Sequence, residues 1–134
     1  MSLNEIKIRL QQLGLKETPI RLKIILTLSR SDHPQTANDL LTKVKANKTT
    51  IYREIEKLVS LDFLSEVILG DAQRRYEIST KTHHHFLICS NCKSIIPIKM
   101  KHNFSKTEKI ISNQYHFQIQ KHDLEFIGLC HKCI

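Results

Sequence analysis

Four cysteines and a run of three histidines are the residues with the most chemistry to offer in this 134-residue chain. Cys89 and Cys92 form a Cys-x-x-Cys pair in the stretch THHHFLICSNCKS, and Cys130 and Cys133 form a second in LCHKCI at the C-terminus. Such a loop presents two thiolates to one metal ion, and two loops complete the closed tetrahedron of a structural zinc site. The 37 residues between Cys92 and Cys130 exceed the usual zinc-ribbon separation. Buried thiols or two redox pairs are the alternatives. His83, His84 and His85 run directly into FLIC, which reads as a buried strand. Alternation along a strand puts His83 and His85 on one face and His84 on the other, so the run suits two different sites. A solvated strand end is the bland reading; the adjoining buried strand argues for imidazoles close to the core.

These groups must be positioned by the rest of a chain long enough for one domain or two small ones, the smaller halves needing a metal or a partner. No apolar run is long enough to span a membrane. The N-terminus MSLNEIKIRLQQLG mixes charged and apolar residues at helical spacing, unlike a signal peptide, so a cytoplasmic location is expected. In a reducing compartment paired cysteines read as metal ligands or redox groups before disulfides. The formal net charge is +8. It would fall to about +6 with four thiolates on one zinc dication, which still favours a polyanionic partner such as nucleic acid.

Charge and ligands are unevenly distributed. All six arginines lie in the first 75 residues, whereas the four cysteines and seven of the eight histidines lie after residue 80. This pattern predicts two functional halves joined by a short hinge: residues 1–78, a hinge at 79–83, and 84–134. In the first half, Ile6, Leu10 and Leu13 mark a helix closed by Gly14, and Thr18-Pro19 starts a second. Thr36 opens a third helix. The segment KTTIYREIEKLVSL, from Lys48 to Leu61, buries Ile51, Ile55, Leu58 and Val59 and turns Thr50, Arg53 and Tyr52 outward. FLSEVILGDAQRRYEI then reads as two strands around Gly70 and Asp71. Helices followed by a hairpin make a winged helix-turn-helix, whose last helix enters a major groove. Lys16, Arg21 and Arg74 are candidates for phosphate contacts. In the second half FSKTEKIISNQ reads as a helix, and FQIQKHDLEFIGLC as two strands around Lys121 to Asp123. The fold class is therefore α+β.

In order along nearly the whole chain, GLKETPIRLKIILTL, HPQTANDLL, TTIYREIEKLVSLDFLSEV, RRYEI, HHHFLICSNCKSI and CHKC resemble the ferric uptake regulator family of metal-dependent repressors. The resemblance implies an N-terminal winged-helix DNA-binding domain and a small C-terminal dimerisation domain. It also implies that Tyr52 and Arg53 sit on the recognition helix, that Cys89, Cys92, Cys130 and Cys133 hold structural zinc, and that a second divalent metal regulates DNA binding. Glu77 and His84 match ligands of the family's interdomain site; His33 lies in the loop that supplies another, offset by one residue, and Phe86 replaces a histidine. His83, His85 and His122 match three ligands of a second site, with His85 standing where iron regulators often have Asp. The fourth ligand is His102 or Glu108. Nitrogen-rich ligation favours zinc over ferrous iron or manganese as the sensed metal. A two-fold homodimer would read an inverted repeat in double-stranded DNA.

Two rival classes use the same residues. A hydrolase or hydratase could hold catalytic zinc on His83, His85 and His122, but no general base, nucleophile or Gly-rich pocket accompanies them. A zinc-stabilised interaction module explains the cysteines and leaves the histidines without a role.

Overall fold

The computed structural model of the chain describes residues 1–80 and 84–134 and divides into two compact units, Met1–Lys81 and Thr82–Ile134. In the first, four helices precede a hairpin: α1 (Leu3–Gln12), α2 (Pro19–Arg30), β1 (Gln35–Thr36), α3 (Ala37–Val44), α4 (Lys48–Ser60), β2 (Leu64–Ile68) and β3 (Arg74–Ile78). The helix ends follow from local chemistry. Ser2 and Glu5 cap α1 reciprocally, and the Thr18 hydroxyl accepts from Arg21 N with Pro19 at the first position of α2. Past the end of α1, Gly14 adopts φ 67°, which places Leu15 N on Leu10 O at 2.9 Å and Gly14 N on Gln11 O at 3.0 Å. Those two bonds satisfy carbonyls that the helix end would leave open. Asn47 caps α4 by accepting from Thr50 N at 2.8 Å.

Apolar residues at helical spacing converge in one core: Ile6 and Leu10 from α1, Ile24 and Leu28 from α2, Leu40 from α3, and Ile51, Ile55 and Leu58 from α4, closed by Phe63, Leu64 and Tyr76. The sheet order is β1-β3-β2, all antiparallel, so the wing has a third strand beyond the expected hairpin. Val59, expected in the core, is only partly buried at its edge.

The second unit contains β4 (His85–Cys89), β5 (Ile95–Ile98), α5 (Ser105–Tyr115) and β6 (Glu125–Gly128). Central β4 pairs antiparallel with β5 and parallel with β6. The strands differ from the sequence reading in two places. Residues 117–120, read as a strand, form none. A strand appears instead at Ile95–Ile98 despite Pro97, because β5 is a sheet edge and an edge residue can lack its N–H without leaving a neighbouring strand unpaired.

This unit has little core of its own. Only His85, Phe86 and Cys89 are buried among its described residues, while Ile110, Tyr115, Phe117, Phe126, Ile127, Leu129 and Ile134 are exposed. A 53-residue unit with so little burial needs further cross-linking or a covering partner.

Candidate metal centres and nucleic-acid interface

The sheet of the second unit brings the two cysteine pairs together. Cys89 ends β4, and its parallel neighbour Gly128 ends β6 two residues before Cys130, so the strand pairing carries one pair to the other. Ser90 N donates to Gly128 O at 2.8 Å and Cys130 N to Cys89 Sγ at 3.4 Å, tying the two loops. The first loop closes through Lys93, at φ 63°, whose N–H reaches Cys89 O at 3.0 Å.

The four Sγ atoms all lie within 4.8 Å of one another, and Cys92 and Cys130 are 3.7 Å apart. A tetrahedron with Zn–S bonds of about 2.3 Å has edges of about 3.8 Å, which the Cys92–Cys130 pair matches, and the other sulfurs are close enough to complete it with small shifts. The surroundings shift these thiols in opposite directions. Backbone N–H groups of Cys130 and then Cys92 pull the Cys89 thiol down to about 6. The Ser94 hydroxyl and N–H lower Cys92. Asn91 favours the Cys133 thiolate, yet the neighbouring sulfurs, Cys130 first, push that thiol up to about 11. Thiolates packed this closely repel, and a dication relieves all four at once.

A second cluster joins His85, His102 and His122, whose ring nitrogens also lie within 4.8 Å of one another. His85 is the first residue of β4 and only 2% exposed. His102 lies between β5 and α5, and His122 between α5 and β6. His102 Nε2 is 3.2 Å from both His85 Nε2 and His122 Nε2. That matches the roughly 3.3 Å edge of a tetrahedron with Zn–N bonds of about 2.0 Å. Behind the cluster, His122 Nδ1 donates to Glu108 Oε1 at 2.5 Å and His102 Nδ1 to Met100 O at 3.3 Å. His83, expected beside His85, lies outside the described residues. Of the two residues considered for the fourth ligand, His102 presents a ring nitrogen to the cluster and Glu108 bonds to the back of His122.

The residues of the other expected site are distributed over both units. His33 is exposed in the first, with Nδ1 2.5 Å from Asp32 Oδ1; Glu77 lies on β3. His84 belongs to the second, where its ring meets that of Phe86 edge-on at 5.2 Å.

On the first unit, α3 and α4 form the helix-turn-helix, turned by Lys45 in the left-handed conformation at φ 53°. Arg53 is exposed on α4, Tyr52 is 37% exposed with Lys48 Nζ 5.7 Å from its ring, and Thr50 is half-buried in the first turn. Lys16 is exposed before α2, and Arg74 starts the second strand of the wing, 3.6 Å from Glu66. Arg21 departs from its expected role. Its side chain is 5% exposed, held by Glu54 and by Lys16 O at 2.5 Å, so it is turned into the fold and cannot reach a phosphate without breaking that pair.

Residues 12–127 match the model of the ferric uptake regulator family. The ferric uptake regulation protein of Bacillus subtilis is 31% identical, with 98% of this chain and 93% of that protein covered. The structure is similar to the ferric uptake regulator of Vibrio cholerae, with a TM-score of 0.74 at 25% identity, covering 93% of this chain and 99% of the other. A zinc uptake regulator in complex with zinc and DNA has a TM-score of 0.72 at 19% identity over 97% of this chain and 91% of that one, a likeness of fold.

Proposed function

Because the chain belongs to the ferric uptake regulator family of metal-responsive, DNA-binding transcriptional repressors, we propose that it is a homodimer that binds an inverted-repeat operator when a second divalent metal, zinc before iron or manganese, occupies the histidine cluster. The observation that carries this reading is the gathering of four thiols and of three imidazoles, each set within 4.8 Å, in a unit with few buried residues among those described. The thiols of Cys89, Cys92, Cys130 and Cys133 fit a structural zinc. It would hold the ends of β4 and β6 together and contribute directly to folding. His85 and His122, with His83 of the same run, would sense the second ion.

Recognition of DNA falls to α4. Thr50, Tyr52 and Arg53 are offered to a major groove, with Lys16 and Arg74 to the phosphates. Exposed Phe126, Ile127, Leu129, Ile110 and Tyr115 supply the apolar surface expected of a dimer interface. A two-fold dimer repeats the recognition helix, which is why the operator should be an inverted repeat. Since the family consists of transcription regulators, we read the histidines as a sensor and not as a hydrolytic centre.

The deciding experiment titrates binding to a family-type palindrome with zinc, ferrous ion, manganous ion or chelator present. Metal-dependent, sequence-specific binding is expected, strongest with zinc at the lowest free concentration. Binding that ignores chelator would sink the metal-responsive reading.

A further inference from the structure

We propose that His102 is a ligand of the sensory ion, that Glu108 is not a ligand but the carboxylate that orients His122, and that this exchange makes the site nitrogen-rich and selective against manganous and ferrous ions. The inference deepens the proposed function and rests on reading the histidine cluster as the sensory site.

The hydrogen bonds behind the rings decide the tautomers. An ionised carboxylate and a backbone carbonyl can only accept, so Glu108 fixes a proton on His122 Nδ1 and Met100 O fixes one on His102 Nδ1. The two Nε2 atoms point at each other, 3.2 Å apart, while the Nδ1 atoms are engaged behind them. A single proton serves one pair of nitrogens, but His102 Nε2 has two such neighbours, His85 and His122, each at 3.2 Å. A metal ion, unlike a proton, could be shared by all three nitrogens, which lie within 4.8 Å of one another.

The surroundings fix both rings in this pose. Phe104 packs against His102 at 4.5 Å and against His122 at 5.1 Å between centroids. Glu108 N donates to Phe104 O at 2.7 Å, so the first turn of α5 sets wall and carboxylate together. Residues four apart share a helix face, which is how Phe104 and Glu108 both reach His122. Using Oε1 on His122 Nδ1 leaves Glu108 behind the ring, on the side away from the converging Nε2 atoms. A carboxylate behind a ligating imidazole raises its basicity and holds its orientation. Among the described residues the nitrogens that converge belong to three imidazoles, a donor set that suits zinc, whereas manganese and ferrous ion gain more from oxygen ligands.

The test uses the full-length protein with its cysteine-bound zinc retained. Second-site affinity for zinc is measured against a chromophoric chelator, manganese affinity by electron paramagnetic resonance, and ligand set by the visible spectrum with cobalt. The parent should bind one ion beyond the cysteine site, and His85→Ala with His122→Ala should abolish it; otherwise the sensory site itself is misassigned. Given that, His102→Ala should weaken zinc about a hundredfold and alter the cobalt spectrum. His102→Glu should move the zinc-to-manganese preference at least tenfold toward manganese. Glu108→Gln should weaken zinc about tenfold with cobalt band positions unchanged, the size expected for a supporting group. Unchanged affinity and spectrum in His102→Ala would overturn the His102 assignment, and a cobalt spectrum altered by Glu108→Gln as much as by His102→Ala would make Glu108 a ligand.

Discussion

Arg21 on α2 and Glu54 on α4 form a two-pronged ion pair, Nε to Oε2 at 2.9 Å and Nη2 to Oε1 at 3.1 Å, with the arginine almost entirely buried. The pair joins a supporting helix to the proposed recognition helix. Arg21→Ala would leave Glu54 partly buried without its partner, and removing one member of a buried pair typically costs about 3–5 kcal/mol. Urea unfolding of Arg21→Ala should show a loss of that order, while Arg21→Met with Glu54→Leu should recover most of it. A loss below about 1 kcal/mol in the single variant would show that the pair is dispensable.

Surface arginine chemistry is the separate matter of Arg53. In a folded dimer Arg53→Ala should weaken operator binding at least about tenfold, equivalent to about 1.4 kcal/mol, or relax discrimination between operator and mismatched sites by as much. Tyr52→Phe isolates the hydroxyl while retaining the ring beside Lys48. Affinity should also fall steeply with salt, and Lys16→Ala or Arg74→Ala should flatten that slope. Equal affinity and specificity in Arg53→Ala would remove the residue from the interface.

The cysteine cluster predicts a coupled loss. Cys92→Ser leaves three thiols, so the second unit should lose zinc, ordered structure and dimerisation together, because binding free energy here is folding free energy. Zinc content by mass spectrometry and size by light scattering check it. A zinc-free Cys92→Ser dimer with native helix content would contradict it.

Asp71 provides a pH-dependent contribution in the wing. The Arg75 guanidinium, its largest influence, holds the Asp71 carboxyl down to about 2. A depressed acid stabilises the fold fully above its unfolded value of about 4, and that contribution disappears as pH falls through about 2. Asp71 is 44% exposed, so solvent screening limits the effect to less than about 1 kcal/mol. Asp71→Asn should therefore lower stability slightly at neutral pH and converge with the parent near pH 2. A constant difference across that range would assign the effect to something other than the ion pair.

Much of the winged helix was legible because its signals are local: Thr18-Pro19, Thr36 and the spacing of Ile51, Ile55 and Leu58 each depend on neighbours within a turn or two. Arg21 was misread because sequence gives its charge and not its burial, and Glu54 lies 33 residues away. Pro97 concealed β5, since only the sheet order reveals an edge. Phe117 to Gln120 has strand-like residues but no strand partner there. The cysteine pairs announced themselves by spacing. The choice between His102 and Glu108 stayed open, because the approach of His102 to His85 and His122 depends on the turn out of β5 and the packing of Phe104, which spacing does not encode.

A metal shifts a protein toward its DNA-binding conformation only as far as it binds that conformation more tightly than the alternatives. A hundredfold preference is worth about 2.7 kcal/mol, enough to turn a mostly incompetent population into a mostly competent one. If the histidine cluster supplies that preference, His85→Ala with His122→Ala should leave the cysteine-bound zinc and the helix content nearly intact. The free metal needed for half-maximal operator binding should nevertheless rise by about tenfold or more, equivalent to at least about 1.4 kcal/mol. His85 is buried, so its loss also leaves a cavity. His122→Gln alone, at a partly exposed position, separates ligand loss from that packing cost and should shift the titration in the same direction. Fluorescence anisotropy of labelled operator in metal buffers measures both. An unshifted titration in the double variant would place the sensor outside this cluster and make Glu77, His84 and His33 the next residues to replace.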